Sequence, residues 1–279
     1  MHLLMIFAVI AFSWLIRYFW EPPQGNLNEK WRKTLFSFLF PPLLIFMTVI
    51  ALIFMGPQGK MGGLQTNWFS YALAFIYVIF FAGLSVKLSW EGWKSVKSAL
   101  NCPQIKAGTQ NIRLLNTQAM FAGQIGFWKP ELVVSQGLLE VLSQEQLESV
   151  LAHEQGHYYY RDTFWFFWLG WVRSSTAWLP KTQGLWEELI VLRELRADAY
   201  AARQIDPLLL AESLLITVSG SPICADICCA ALDSSSVERL EQRVDALLKS
   251  PEKPPEPRFN FWNPYLLALI PLASVLFHT

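Results

Sequence analysis

The sequence predicts a mainly α-helical membrane protein, with about four transmembrane helices and a smaller α+β domain. Three observations lead there. Hydrophobic residues make up 53% of the 279 and charged residues only 16%, whereas a soluble domain carries about 25% charged residues. The apolar residues gather into runs of the length that a helix needs to cross a bilayer, about 20 residues. Between the third and fourth runs lies enough polar sequence for one modest domain. Lys+Arg and Asp+Glu both number 22, which argues against a nucleic-acid binder built on a basic face. Four Cys in a chain this long make no disulfide framework, and no repeat period recurs.

The first run, Leu3 to Trp20, carries Arg17, Tyr18 and Trp20 at its far end. A signal peptide has its basic residues before the apolar stretch, so the expectation is an uncleaved anchor. Leu35 to Met55 is the second span, kinked at Pro41-Pro42. Trp68 to Leu88 is the third, with aromatic residues at both ends, and Asn260 to Phe277 is the fourth. Lys30, Arg32 and Lys33 fill the first loop, against Lys60 alone in the second; Lys87, Lys94 and Lys97 follow the third span. Lys249, Lys253 and Arg258 precede the last. The positive-inside rule then predicts both termini outside and residues 89–258 in the cytoplasm of an inner or plasma membrane. The expected division is 1–90 for three membrane helices, 91–250 for the polar domain, 251–258 for a Pro-rich linker and 259–279 for the final helix.

Residues 164–179 (FWFFWLGWVRSSTAWL) look like a further span by hydropathy. The run is short, contains Arg173, and lies between residues that must meet at one site. A single crossing would part them across the membrane. The expectation is an interfacial or re-entrant element, with a buried core helix as the alternative.

The chemistry is carried by His153-Glu154-Gln155-Gly156-His157. Ser143 and Gln146 form a capping box ahead of Leu147, Val150 and Leu151 at helical spacing, so the motif sits on a helix. His153 and His157 are i and i+4, leave one face and can share one ion, while Glu154 can reach a metal-bound water as a general base. A catalytic zinc takes three protein ligands and keeps one open position. Glu194 is the expected third, on a helix from about Trp186 to Arg203. Asp198, four residues on, can hold the ring N–H of His153 or His157. Glu187 and Glu188 compete for the third place, but no Asp follows either at i+4; they read as solvated first-turn carboxylates. Without the HEQGH motif, Glu194 and Asp198 would read as a surface ion-pair face with Arg193 and Arg196.

The pair HExxH and ExxxD resembles the integral-membrane zinc metallopeptidases of the gluzincin type: the HtpX-like and CAAX prenyl endopeptidases and the BlaR/MecR-type peptidases. The segment Gly126 to Ser135 (GFWKPELVVS), Gly137-Leu138-Leu139, Leu142 to Leu147 (LSQEQL), Arg193 to Ala202 (RELRADAYAA) and Val237 to Leu248 (VERLEQRVDALL) are similar too. Roughly residues 105–250 are covered, and three spans before the motif with one after look most like the BlaR/MecR type. The resemblance implies a zincin-like catalytic domain and one Zn2+ per chain. It implies hydrolysis of peptide bonds in cytoplasmic or membrane-associated polypeptides, in a regulatory manner without a sensor domain or in HtpX-like quality control. A scaffold or signalling subunit that keeps zinc for structure is the reading from another class, and an intact Glu154 argues against it. The partners expected are a polypeptide substrate and the lipid bilayer. BlaR/MecR sensors continue into an extracellular ligand-binding domain, and this sequence stops at Thr279, so antibiotic sensing is not carried over. The basic residue that often follows the Asp in HtpX and CAAX relatives is Ala199 here.

An oxyanion needs a further donor. Tyr200, Arg203 and the stretch Tyr158 to Arg161 are the candidates, though each reads more readily as packing or surface charge. His2 and His278 read as structural or interfacial. Asn111 to Thr117 and Ala119 to Phe127 read as a hairpin whose second strand, through Ala122, Gly123 and Gln124, offers an edge for substrate backbone; an ordinary core hairpin is the alternative. Cys224, Cys228 and Cys229 read as packed thiols, since no Cys or His pair lies near to complete a metal site.

Overall fold

Long apolar runs with few breakers become the long helices of the computed structural model, which describes residues 2–57, 60–61, 64–65, 68–107, 110–219, 236–249 and 259–277. Cys224, Cys228, Cys229, the linker 251–258 and His278 lie outside the described residues. The chain divides into two compact units.

The first unit comprises residues 1–88, 169–189 and 256–279. Helix α1 spans His2–Tyr18, α2 spans Leu27–Met55 behind an Asn26 N-cap, and α3 spans Trp68–Leu100. Strands β1 (Lys60–Met61) and β2 (Leu64–Gln65) make a two-residue antiparallel pair between α2 and α3. Among the described residues two helices, α2 and α3, are long and apolar enough to cross a membrane, not four. Helix α1 has 17 residues, about 26 Å at 1.5 Å per residue, against a hydrocarbon core of about 30 Å. The C-terminal run is 3-10 helix over Phe259–Leu269 and Ser274–Phe277, with one α turn at Ile270–Ala273 between them. Pro264 and Pro271 each withhold a backbone donor there, which disfavours a regular α ladder.

Helix α2 continues through Pro41 and Pro42. A proline at position i cannot donate to the carbonyl of i−4, so Pro42 leaves the Phe38 carbonyl without its helical donor. Arg17, fully buried, supplies one: its Nη2 donates to Phe38 O at 2.7 Å while Nη1 donates to Thr182 Oγ1 at 3.0 Å. Val49, Ala51, Leu52 and Met55 of α2 bury Ala74 of α3, and Phe40 and Leu44 bury Tyr265 and Ala268. His2 Nδ1 lies 3.2 Å from Ser70 Oγ, a structural role.

The second unit comprises residues 89–168 and 190–255. Its four-stranded sheet has β3 (Gln104–Ala107), β4 (Gln110–Leu115), β5 (Ala122–Ile125) and β6 (Glu131–Ser135) in the order β3-β4-β6-β5. The expected hairpin of 111–117 with 119–127 does not form. β6 lies between the two strands, parallel to β4 and antiparallel to β5. The reason is burial: Leu132 to Ser135 are all buried, as a central strand requires, while every residue of β5 is half-buried. That leaves β5 at the sheet edge.

Short helix α4 (Gln136–Val141) leads to α5 (Gln144–Tyr160), α6 (Asp162–Ser175), α7 (Thr182–Ala201), α8 (Pro207–Ser219) and α9 (Ser236–Leu248). Ile112, Leu132 and Val134 of the sheet pack on Leu147, Val150 and Leu151 of α5. Fully burying one such side chain is worth about 1.5–3 kcal/mol, so this contact seats the first half of α5 and aims its second half. Ala152 packs with Ala201, Leu210, Ala211, Leu214 and Leu247, which draws α5, α7, α8 and α9 together. Helix α7 starts four residues before the Trp186 expected from the sequence, and residues 169–189 of the 164–179 segment and its sequel belong to the unit of α1 and α2.

Candidate metal centre

Helix α5 begins with the capping box read from the sequence, Ser143 Oγ accepting from Gln146 N and Gln146 Oε1 accepting from Ser143 N. Such caps are worth about 1 kcal/mol and set where the helical turns fall, so that His153, Glu154 and His157 leave α5 where α7 crosses it. The crossing is close. A Cβ on Gly156 would lie 3.0 Å from Ala197 Cα and 3.1 Å from its carbonyl oxygen. Gly156 and Ala197 are therefore the small pair that lets the two helices touch.

At this crossing His153 Nε2 lies 3.1 Å from His157 Nε2 and 3.4 Å from Glu194 Oε2, and His157 Nε2 lies 3.7 Å from Glu194 Oε1. These three are the group of metal-capable donors among the described residues. The other ring nitrogen of each imidazole faces a carboxylate. His153 Nδ1 is 2.8 Å from Asp198 Oδ1, and His157 Nδ1 is 2.8 Å from Asp162 Oδ2. In the neutral form that a metal requires, with a proton on each Nδ1, both Nε2 lone pairs face the space between the rings, 3.1 Å apart. Such an arrangement calls for a cation between them. Four donors at 2.0–2.1 Å around tetrahedral zinc sit about 3.3–3.4 Å apart, within the spread of distances observed. The residues fit a divalent metal of zinc's size.

Three guanidinium groups serve the three structural carboxylates. Arg193 donates to Glu194 Oε1 at 2.7 and 2.9 Å, Arg196 donates to Asp162, and Arg243 of α9 grips both oxygens of Asp198 at 2.7 and 2.8 Å. Burial alone would raise the Glu194 carboxyl; Arg193 and His157 hold it well below the ordinary range instead. Asp198 is likewise lowered, by Arg243 against its burial. Burial pushes both histidines down, yet Asp198 raises His153, and Glu194 with Asp162 brings His157 up to about 10. Glu154 is buried, 7% exposed, and its charge is felt by His157, Arg193 and Arg243. Its backbone carbonyl accepts a hydrogen bond from Gln124 of the edge strand β5 at 3.4 Å.

Sequence reasoning placed His153, Glu154, His157, Glu194 and Asp198, and the structure brings all five together. It missed Asp162 and Arg243, and named Arg193 beside Glu194 only in the alternative of a surface ion-pair face. Asp162 reaches His157 because Arg161 ends α5 in the left-handed conformation (φ 54°, ψ 44°), which turns the next residue back toward the helix face. Arg243 comes from 45 residues beyond Asp198. Tyr200 stacks on Tyr159 at 5.1 Å between centroids, and Arg203 is exposed in the turn after α7. Glu187 accepts a hydrogen bond from Gln183, and Glu188 has its pKa raised by burial. Both belong to the first unit rather than to the donor group.

The family model of peptidase family M48 matches residues 105–213. This is less than half of the chain, but it takes in the sheet, α5, the whole donor group, Asp162 and Asp198, and stops short of Arg243. No curated protein matches.

Proposed function

We propose that the chain is a membrane-embedded zinc endopeptidase, with His153, His157 and Glu194 as metal ligands and Glu154 as general base. The carrying observation is the convergence of three donors on one point, with each imidazole backed by a carboxylate. The family match over the same residues supports it. Bound zinc supplies a Lewis acid for the scissile carbonyl and makes a water acidic enough to lose its proton near neutral pH. Glu154 takes that proton and returns it to the departing amine. Asp198 and Asp162 keep the two rings turned with Nε2 inward. The free edge of β5, at Ala122, Gly123 and Gln124, binds substrate backbone by strand addition, and the Gln124 hydrogen bond to the Glu154 carbonyl ties that edge to the catalytic helix.

We place the site on the cytoplasmic side, with α2 and α3 crossing the membrane. Trp68 and Trp90 stand 22 residues apart on α3, about 33 Å, which suits two interfacial anchors either side of a core of about 30 Å. Lys94 and Lys97 lie over the Trp90 and Trp93 rings at 5.6 and 5.2 Å, a basic, aromatic end of the kind found at cytoplasmic interfaces. Lys30, Arg32 and Lys33 before α2 give the same sign. With two crossings rather than four, this side for residues 89–258 holds while the termini move inside. The span count no longer separates BlaR/MecR-like regulation from HtpX-like quality control, and we retain regulatory cleavage as the first reading on the motif segments alone.

One experiment tests the chemistry. Purified wild type should hold one zinc per chain; Glu194→Ala should lose it, and Glu154→Gln should keep it while peptide cleavage falls by about 10²–10⁴. Full zinc in Glu194→Ala, or undiminished cleavage by Glu154→Gln, would sink the proposal. The side is tested by single cysteines in a background without the four native ones. An impermeant thiol reagent should label Gln58→Cys in intact cells and spare Gln183→Cys until they are opened; the reverse pattern puts the site outside.

A further inference from the structure

We propose that Arg243 is a positioning residue for the metal centre, holding Asp198 and Glu194 in the orientation that presents His153 and Glu194 to one ion. This rests on the zinc reading above. The guanidinium is shared in an uncommon way. Nε and Nη2 engage both oxygens of Asp198, the fork-to-fork geometry that fixes a carboxylate's plane as well as its position. One of those oxygens, Oδ1, is the atom 2.8 Å from His153 Nδ1. Nη1 lies 3.4 Å from Glu194 Oε2, the oxygen that is itself 3.4 Å from His153 Nε2. A single side chain therefore touches one ligand directly and orients another through its carboxylate.

The remaining arginines of the cluster sit on α7, Arg193 beside the Glu194 that it serves and Arg196 reaching Asp162 at the start of α6. Arg243 alone arrives from α9, beyond residues 105–213 that the family model matches. Its side chain is 12% exposed and that of Asp198 only 2%, so water cannot replace the contact cheaply. Against the carboxylates of Glu154, Asp162, Glu194 and Asp198 stand the guanidiniums of Arg193, Arg196 and Arg243. Without Arg243, a further uncompensated negative charge remains beside His153, and the Asp198 plane loses its two-point restraint. Removing an outer partner of this kind costs about ten- to a hundredfold in metal affinity. Leu247 is buried with Leu210, Ala211 and Leu214, and Leu240 and Val244 pack on the same cluster, so α9 is docked by several side chains rather than one.

The full-length protein in detergent is titrated with zinc against a chromophoric chelator, and kcat and KM are measured on a reporter peptide. Arg243→Ala should bind zinc about ten- to a hundredfold more weakly, with kcat lowered and KM little changed. Arg243→Lys keeps the charge but not the fork, and should fall between it and wild type. Leu247→Ala loosens α9 without touching the carboxylates. It should lower the melting temperature while zinc affinity stays within about threefold, the small change expected of a site left intact. Wild-type zinc affinity in Arg243→Ala overturns the proposal, as does an equal loss of affinity in Leu247→Ala, which would mark a merely structural role. If Arg243→Ala does not fold, Arg243→Lys carries the test, and unchanged affinity there, or failure of both to fold, overturns it. A wild-type protein that binds no zinc would instead sink the reading on which the inference rests.

Discussion

Buried arginines occur in both units, and they do different work. In the apolar unit Arg17 meets neutral groups: the Thr182 hydroxyl, the Phe38 carbonyl and, at 5.2 Å, the Phe38 ring. The carbonyl is the one that Pro42 deprives of a helical donor, so the cation repairs a backbone defect. In the site unit Arg193, Arg196 and Arg243 each face a carboxylate that either belongs to the donor group or backs one of its imidazoles. There, positive charge restrains negative charge, which restrains a ring. The same residue type thus governs helix continuity in one unit and donor orientation in the other. Loss of the first should show in stability, and loss of the second in metal affinity.

Asp162→Asn should produce the larger break on the metal side. It neutralises the group that holds His157 Nδ1 and removes the ion pair with Arg196, and zinc affinity should drop about ten- to a hundredfold in a chelator competition. An unchanged affinity would mean that the carboxylates behind the imidazoles do not orient them. Arg17→Leu should leave zinc affinity within about threefold yet cost roughly 1–3 kcal/mol of stability, the usual cost of a buried carbonyl left unpaired. Thermal unfolding of the detergent-solubilised protein checks it. Adding Pro42→Ala to Arg17→Leu returns an N–H to the helix and should recover part of the loss. Failure to recover would put Arg17's contribution in its contact with Thr182 instead.

What could be read in the sequence was local. The capping box is an i, i+3 relation, HEQGH and the Glu194–Asp198 pair are i, i+4 relations, and helical geometry alone places such residues on one face. What was not legible depends on where the chain goes next. Asp162 is recruited by one left-handed residue, Arg161, whose side chain carries no signal for that conformation. Arg243 is brought in by packing of α9 on α8, a tertiary event. The hairpin expectation failed because it assumed that neighbouring strands pair, and the more apolar β6 claimed the central position. Hydropathy marked four runs correctly as apolar, but length and proline content limit two of them. The 164–179 segment shows the same boundary of inference: its chemistry forbade a crossing, and its helix is 14 residues long.

Close approach of α5 and α7 at Gly156 and Ala197 sets the spacing of the three donors. The imidazoles are mounted on one helix and the Glu194 carboxylate on the other, so the width of the nest between them follows the separation of two rigid rods. Those rods already touch and cannot approach further; moving apart would give up the packing of Ala152 and Ala201 with α8. Calcium takes six to eight oxygen ligands, whereas this nest offers two imidazole nitrogens and one carboxylate. Donor spacing is thus a property of two small residues that stand outside the donor group.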